Sequence, residues 1–352
     1  MVSEALIRQQ NADLTHLNTL GFKCSAPWLV QVATADELPA VFDFAHQQDL
    51  PVFPLGGGSN VILRPALNAL VLQQQPLPLD WPQDLSDQLL LRVPAGNNWH
   101  QLVMETASKG YHGLENLALI PGQAGAAPIQ NIGAYGAEVA DCLLAVEGWW
   151  LPEAGQPARF DVIPAADCCL GYRDSRFKRD WKGRFVITAL QIQLKRSAEP
   201  RLNYGDLAER LHLRQQQQAG DLPLPQLIAE TVAAIRREKL PDPAAIGNVG
   251  SFFKNPLVDH QQAQELQAAW PQLPIYPAEQ GSKLAAGWLI DQCGFKGFCK
   301  GAVGVHDRQA LVLVHHGGGD AEQLLALADE IVTCVQARFG VPLEREPEVV
   351  KL

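Results

Sequence analysis

Several things are scarce in this chain of 352 residues, and each scarcity excludes something. There is no run of eighteen or more apolar residues, so no membrane span is expected. The first twenty residues hold no basic stretch followed by an apolar one, so no secretory leader is read there. Charged residues make up only 19%, and acidic groups outnumber basic ones, for a net charge of −10. A chain of that sign is a poor partner for nucleic acid or an anionic membrane, both of which need a basic face. The seven cysteines are odd in number and show no metal-ligand spacing, and no histidine cluster exists, so no metal site is expected. Free thiols of that kind suit a reducing cytoplasm. No internal repeat is found, and low complexity is confined to the glutamines of Arg214 to Gln218.

What the chain has instead is apolar mass, 47% of all residues, enough for a sizeable core in two or three domains. The most unusual stretch is Leu119 to Glu138, LIPGQAGAAPIQNIGAYGAE, with four glycines, five alanines and two prolines. Gly and Pro interrupt it too often for a helix. Leu119, Ile120, Ile129, Ile132 and Tyr135 are spaced through it, which a disordered linker would lack. Small residues over that length let a backbone lie close to something flat or charged. Upstream, Gly56, Gly57, Gly58, Ser59 and Asn60 form a turn between the apolar runs 52–54 and 61–63. Strand, glycine turn, strand is a place where backbone N–H groups converge on a phosphate. It is not the nicotinamide-type Rossmann signature, because Val61-Ile62-Leu63 continues as strand where that motif opens a helix. The two stretches together suggest a cofactor with a diphosphate and a planar ring. By itself, however, the glycine run is also a plain hairpin turn.

Around them, periodicity predicts helices over 35–48, 99–108, 224–239, 259–270, 282–293 and 320–339. Strands are expected over 69–72, 89–93, 142–150, 186–194 and 310–314, with a final one within 341–352. Arg173, Arg176, Lys178 and Arg179 crowd into seven residues, and a guanidinium fork suits a carboxylate or phosphate. Ser251 reads most simply as a turn or cap serine, since Val249 and Phe253 stand where a nucleophile elbow needs glycines. Glu344, Glu346 and Glu348 would share one face of a strand, and a solvated edge accounts for them equally well.

Beyond these single features, long segments resemble the UDP-N-acetylenolpyruvoylglucosamine reductase family of flavoenzymes, first type. They are PLGGGSNVIL, GLENLALIPGQAGAAPIQNIGAYG, GYRDSRFK, YGDL, REKLPDP, GNVGSFFKNP, AAGWLIDQCGFKG and FGVPLEREPE. The resemblance implies an α+β chain with a non-Rossmann FAD-binding fold of the vanillyl-alcohol-oxidase type in two subdomains, 26–200. An N-terminal arm, 1–25, would precede it. A substrate-binding α+β domain, 215–340, and a C-terminal strand, 341–352, returning to the active site would follow. Non-covalent FAD would lie on Gly56, Gly57, Gly58, Ser59 and Asn60 and on Ile120, Pro121, Gly122, Gly125, Ala126, Gln130, Asn131, Ile132 and Gly133. Arg173 would be catalytic and Ser251 the proton donor. Tyr204, Arg236, Lys239, Asn255 and Gln292 would contact the UDP-sugar. The family's Phe-x-Val-x-Leu-x-x-Glu pattern, counted from Phe339, Val341 and Leu343, reaches Glu346 as the catalytic glutamate. Matching Pro-Glu-Val instead reaches Glu348 but needs an insertion. The implied reaction is NADPH-dependent reduction of an enolpyruvyl UDP-sugar in the cytoplasm by a monomer, a step in peptidoglycan synthesis. Rival readings are an FAD-dependent alcohol oxidase of the same fold and a sugar-nucleotide-binding regulator without chemistry.

Neither glycine-bearing stretch contains a cysteine or histidine that could attach a flavin. The protein is therefore expected to purify yellow and to release its flavin on acid precipitation. Flavin recovered only on a peptide would contradict the non-covalent assignment.

Overall fold

A computed structural model describes residues 7–82, 87–153, 155–217, 221–278 and 281–352. The first six residues of the expected N-terminal arm, and Gln218 at the end of the glutamine run, lie outside them. The chain forms two compact units, neither contiguous in sequence: 1–12, 26–57 and 68–236 in the first, 13–25, 58–67 and 237–352 in the second.

The first unit is built on two four-stranded sheets. One runs β1 (Ile7–Asp13), β2 (Ser25–Val32), β5 (Leu70–Gln74) and β3 (Val52–Pro54), with β2 and β3 both parallel to β5. Helix α1 (Leu38–Gln47) buries Leu38, Val41, Phe42 and Ala45 in one core with Val30, Leu70 and Leu72. A parallel pair needs such a crossover, and its helix supplies the apolar cover. The other sheet is antiparallel, in the order β10 (Arg159–Pro164), β9 (Leu143–Trp150), β11 (Phe185–Lys195) and β6 (Gln88–Pro94). Its core takes Trp99, Leu102 and Val103 from α2 (Trp99–Ser108), whose first turn is capped by the Asn98 side chain accepting from the Gln101 N–H.

The same core takes Leu207 and Leu211 from α3 (Leu207–Gln217) and Leu227, Ile228, Val232 and Ile235 from α4 (Leu224–Lys239). These two helices therefore pack with the first unit, although α4 falls within the stretch 215–340 expected as a second domain. The glutamine run is the end of α3, because Leu207 and Leu211, one turn apart, fix the helix that the polar run extends. Short β7 (Gly133–Ala134) and β8 (Ala137–Glu138) form a hairpin inside the Gly/Ala-rich segment.

The second unit holds an antiparallel sheet, β12 (Gly247–Ser251), β18 (Val312–His315), β17 (Val303–Val305) and β16 (Cys299–Lys300). A three-stranded sheet joins β13 (Leu257–Val258), β15 (Ser282–Leu284) and β14 (Ile275–Pro277). Helices α5 (His260–Ala269), α6 (Ala286–Gln292) and α7 (Ala321–Phe339) complete the layer. The expected helix over 282–293 is thus a strand followed by a shorter helix. Residues 282–284 pair with strands on both sides, and that ladder overrides the helical spacing. The expected C-terminal strand is only β19 (Glu348–Val349), parallel to β4 (Val61–Ile62). Pro342 and Pro347 remove the N–H groups a longer ladder would need.

Ile228, fully buried in the first unit's core, tests whether α4 belongs there. Ile228→Ala is expected to destabilise by about 2–5 kcal/mol, read as a lowered urea midpoint with an unchanged slope. A loss under about 1 kcal/mol, the scale of a surface substitution, would contradict the packing described.

Candidate functional site

In the first unit, the two glycine-bearing stretches meet. Gly57 approaches Gly122 so closely that a Cβ on it would lie 3.1 Å from the Gly122 Cα. Beside it, a Cβ on Gly56 would lie 3.2 Å from the Gln123 side-chain oxygen. Two backbones meet there without side chains between them, the kind of surface a diphosphate can approach closely. Downstream, the segment is held by its own polar groups. The fully buried Asn131 donates from Nδ2 to a Glu138 carboxylate oxygen at 2.6 Å and to the Gly171 carbonyl at 3.1 Å, and accepts from the Ala140 N–H. Ser175 donates to the Ile129 carbonyl at 2.6 Å. The loop 171–175 is thereby fastened to the Gly/Ala-rich segment at two points.

That fastening positions Arg173. Its Nη2 donates to the Gly133 carbonyl at 2.7 Å, and its guanidinium lies 5.2 Å from the centroid of the Tyr172 ring. Of the expected basic cluster, Arg176 pairs with Asp180 and Arg179 with Asp174, and Lys178 donates to the Arg173 carbonyl. Arg173 is the member turned toward the Gly/Ala-rich segment. Arg236, in the last turn of α4, donates to the Leu119 carbonyl at 3.3 Å. Burial pushes the Arg236 guanidinium below its ordinary value; Tyr135 opposes that shift and the positive charge of Arg173 adds to it. Arg173 and Arg236 thus both reach carbonyls of one segment, and guanidinium forks so placed suit an anion.

The backbone around these groups is strained. Leu119, Asn131, Tyr135 and Arg173 all have left-handed φ between 47° and 59°, a region bulky residues rarely adopt. Strain of that kind persists where surrounding contacts over-determine it, and it clusters at functional sites. Tyr204 precedes α3 and is 52% exposed, with its ring edge-on to Tyr135 at 5.5 Å between centroids. Ile120, Gly125, Gln130 and Ile132 are half-buried along the same segment, and Pro121 and Ala126 are exposed.

In the second unit, Ser251 ends β12 opposite Val312, after a register shift. Gly250 makes that shift possible: its φ of +73° is open to glycine at little strain, and its N–H is held by the Asn248 side chain. The chain past Ser251 pairs with the C-terminus. Phe253 bridges to Arg345, the Glu346 N–H donates to the Phe252 carbonyl at 2.9 Å, and the Lys254 N–H donates to the Glu344 carbonyl at 2.9 Å. Lys254 and Glu344 also pair through their side chains. Glu348 is fixed elsewhere: its N–H donates to the Asn60 carbonyl at 3.0 Å, at the end of the Gly58-Ser59-Asn60 half of the glycine turn. Glu346 and Glu348 are both half-buried, and Glu344 is exposed. Asn255 accepts from the Ala286 N–H at the start of α6, and Gln292 ends that helix. Lys239, at the end of α4, is exposed.

The first unit thus brings together Gly56, Gly57, the segment 120–133, Arg173, Arg236 and Tyr204. The second brings together Gly58, Ser59, Asn60, Ser251, Asn255 and the C-terminal glutamates. Tyr135 was not among the expected site residues. No motif marks it as polar and functional; its ring contact with Tyr204 and its electrostatic effect on Arg236 do so.

Gly57→Ala keeps an allowed backbone but puts a methyl against Gly122. Overpacking of this kind typically amounts to about 1–3 kcal/mol. The variant is expected to lose at least tenfold in FAD affinity while keeping its far-ultraviolet circular dichroism. Full flavin retention would remove this contact from the cofactor cradle.

Comparison with known proteins fits this geometry. Residues 26–149 match the model of an FAD binding domain, and residues 242–350 match that of the UDP-N-acetylenolpyruvoylglucosamine reductase C-terminal domain. The chain is 46% identical to the UDP-N-acetylenolpyruvoylglucosamine reductase of Chromobacterium violaceum over 97% of its length and 98% of the relative's. It is 45% identical to that of Bordetella pertussis over 98% and 96%. Among solved structures, the UDP-N-acetylenolpyruvylglucosamine reductase of Thermus caldophilus aligns with a TM-score of 0.62 at 25% identity, covering 98% of this chain and 99% of that one. The 6-hydroxy-D-nicotine oxidase of Arthrobacter nicotinovorans aligns with a TM-score of 0.53 at 12% identity, covering 97% and 88%, a likeness of fold alone. With a non-Rossmann FAD-binding fold of the vanillyl-alcohol-oxidase type and relatives matched over nearly the whole chain, the protein belongs to the UDP-N-acetylenolpyruvoylglucosamine reductase family.

Proposed function

We propose that this chain reduces the enolpyruvyl group of UDP-N-acetylglucosamine-enolpyruvate to give UDP-N-acetylmuramate, with NADPH as reductant. The observation that carries the reading is the placement of Arg173 and Arg236 on one glycine-backed segment, at the Gly133 and Leu119 carbonyls. That arrangement suits a cofactor diphosphate and an anionic substrate together. The cradle residues would hold FAD, which would supply hydride transfer between NADPH and C3 of the vinyl ether.

The chain's own groups then have these tasks. Arg173 holds the substrate carboxylate, where negative charge grows as C3 gains its hydrogen. Its backbone is locked by the Asn131 and Ser175 hydrogen bonds, so little reorganisation is needed during reaction. Ser251 donates its hydroxyl proton to C2. A serine is a weak acid in water, but the enolate-like species is strongly basic and the paired strand end places the residue's backbone. A C-terminal glutamate, as the protonated acid, donates a hydrogen bond to the substrate carboxylate. The ladder to Phe252 ties Glu346 to the Ser251 strand, whereas the bond to Asn60 ties Glu348 to the glycine turn. Glu346 is the proposed residue, and Glu348 is the second reading that its own anchor favours.

Tyr204, Arg236, Lys239, Asn255 and Gln292 bind the sugar nucleotide in this account. We place the reaction in the cytoplasm: all seven cysteines are free thiols, the state a reducing compartment maintains. No helix among the described residues is long and apolar enough to cross a membrane. An alcohol oxidase of the same fold is supported by likeness of fold only.

Ser251→Ala tests the assignment. Bleaching of the flavin by NADPH is expected to proceed at the parent rate. Reoxidation by the enolpyruvyl sugar nucleotide is expected to slow by ~10²–10⁴-fold, the usual worth of a positioned proton donor. Reoxidation at the parent rate would remove Ser251 from the mechanism. In the same assay, Glu346→Gln is expected to slow reoxidation and Glu348→Gln to leave it nearly unchanged. The reverse pattern would move the hydrogen-bonding role to Glu348.

A further inference from the structure

The hairpin β7–β8 turns through Tyr135 and Gly136, both with positive φ, 50° and 80°. A two-residue turn with both central residues left-handed normally carries Asn-Gly or Gly-Gly. A tyrosine at the first position is strained and needs an external hold. Asn116 provides one. Only 3% exposed, it donates from Nδ2 to the Tyr135 carbonyl and to the Arg201 carbonyl, each at 2.8 Å. Arg201 returns the connection, donating from Nη1 to the Gly136 carbonyl at 3.0 Å and pairing with Asp141. Three residues past Arg201, the Tyr204 ring lies edge-on against Tyr135. The segment 201–204 is thus fastened at both ends to the strained turn, through one buried amide and one guanidinium at Arg201 and one ring contact at Tyr204.

We propose that Asn116, with Arg201, is a positioning residue for the sugar nucleotide: it holds Tyr135 in its strained turn so that Tyr204 is set in its binding position. This rests on the proposed role of Tyr204 in binding the UDP-sugar. Asn116 does not touch the substrate in this account. Its carboxamide is used on two backbone carbonyls, and a side chain without an amide N–H cannot replace it. Loss of the donor leaves both carbonyls to water or unpaired, and the hold of the turn on segment 201–204 is weakened.

The test is a double-mutant cycle on the intact, FAD-loaded protein with Asn116→Ala, Tyr204→Ala and the pair. Asn116→Ala is expected to raise the KM for UDP-N-acetylglucosamine-enolpyruvate about tenfold, the loss of one or two buried hydrogen bonds. The rate of flavin bleaching by NADPH is expected to stay within about twofold. In the Tyr204→Ala background, Asn116→Ala is expected to change KM by less than about twofold, because coupled residues are not additive. An unchanged KM, or an equal tenfold loss in both backgrounds, overturns the proposal: Asn116 would then act on stability or on another part of the site. Arg201→Met removes the surface half of the fastening without opening a core cavity. If Asn116→Ala does not fold, the same non-additivity with Tyr204→Ala is required of Arg201→Met. Failure of the parent enzyme to be reoxidised by the sugar nucleotide overturns the functional reading itself, and is distinguishable because no variant is involved.

Discussion

The close approach of Gly57 to Gly122 sets what the first unit can be. A side chain at Gly57 would press on the Gly122 backbone, so the two loops meet most closely as bare peptide. Everything that supports that contact is ordinary packing. The parallel sheet with α1 carries β3 into the glycine turn, and the antiparallel sheet with α2 supports the Gly/Ala-rich segment through a shared core. The polar ties from Asn131 and Ser175 then fix the loop bearing Arg173 to that segment. Apolar burial places the loops, and a few fully used hydrogen bonds decide where the charges point.

The charge placement runs against what stability alone would favour. Burial already disfavours the charged form of Arg236, and Arg173 disfavours it further. Four non-glycine residues nearby hold left-handed backbone. A family member that binds FAD and an anionic sugar nucleotide has a use for both features. An anion gains from two guanidinium groups at once, and strained loops held by many contacts keep the groups in place while charge develops. The second unit uses a lighter device. One bulge at Gly250 ends a strand on Ser251, and the returning C-terminus pairs with the residues just beyond it.

Much of this was legible in the sequence because its signals are local. α2 and α4 follow their apolar spacing to the residue, and α7 begins just after the Asp320 cap. The glycine turn and the Gly/Ala-rich segment announce themselves by composition. What was not legible depends on partners far away in sequence. β15 looks helical until β13 and β14 flank it. The polar end of α3 looks like low complexity until Leu207 and Leu211 are seen in the core. The split of the basic cluster into Arg173 and its ion-paired neighbours needed Asp174 and Asp180 in place. Asn116 lies within a matched family segment but bears no mark of its role, which exists only through carbonyls at Tyr135 and Arg201.

In the proposed reaction, C2 of the enolpyruvyl group takes its hydrogen as a proton from an exchangeable protein group, and C3 takes a hydride. Turnover in D2O with unlabelled NADPH, followed by nuclear magnetic resonance of the product, tests it directly, because the Ser251 hydroxyl exchanges with solvent. The product is expected to be UDP-N-acetylmuramate with deuterium at C2, whatever the label at C3, because the N–H hydrogen of a reduced flavin also exchanges with solvent. Protium at C2 of product formed in D2O, or no reduced product at all from FAD-loaded enzyme, would overturn the mechanism.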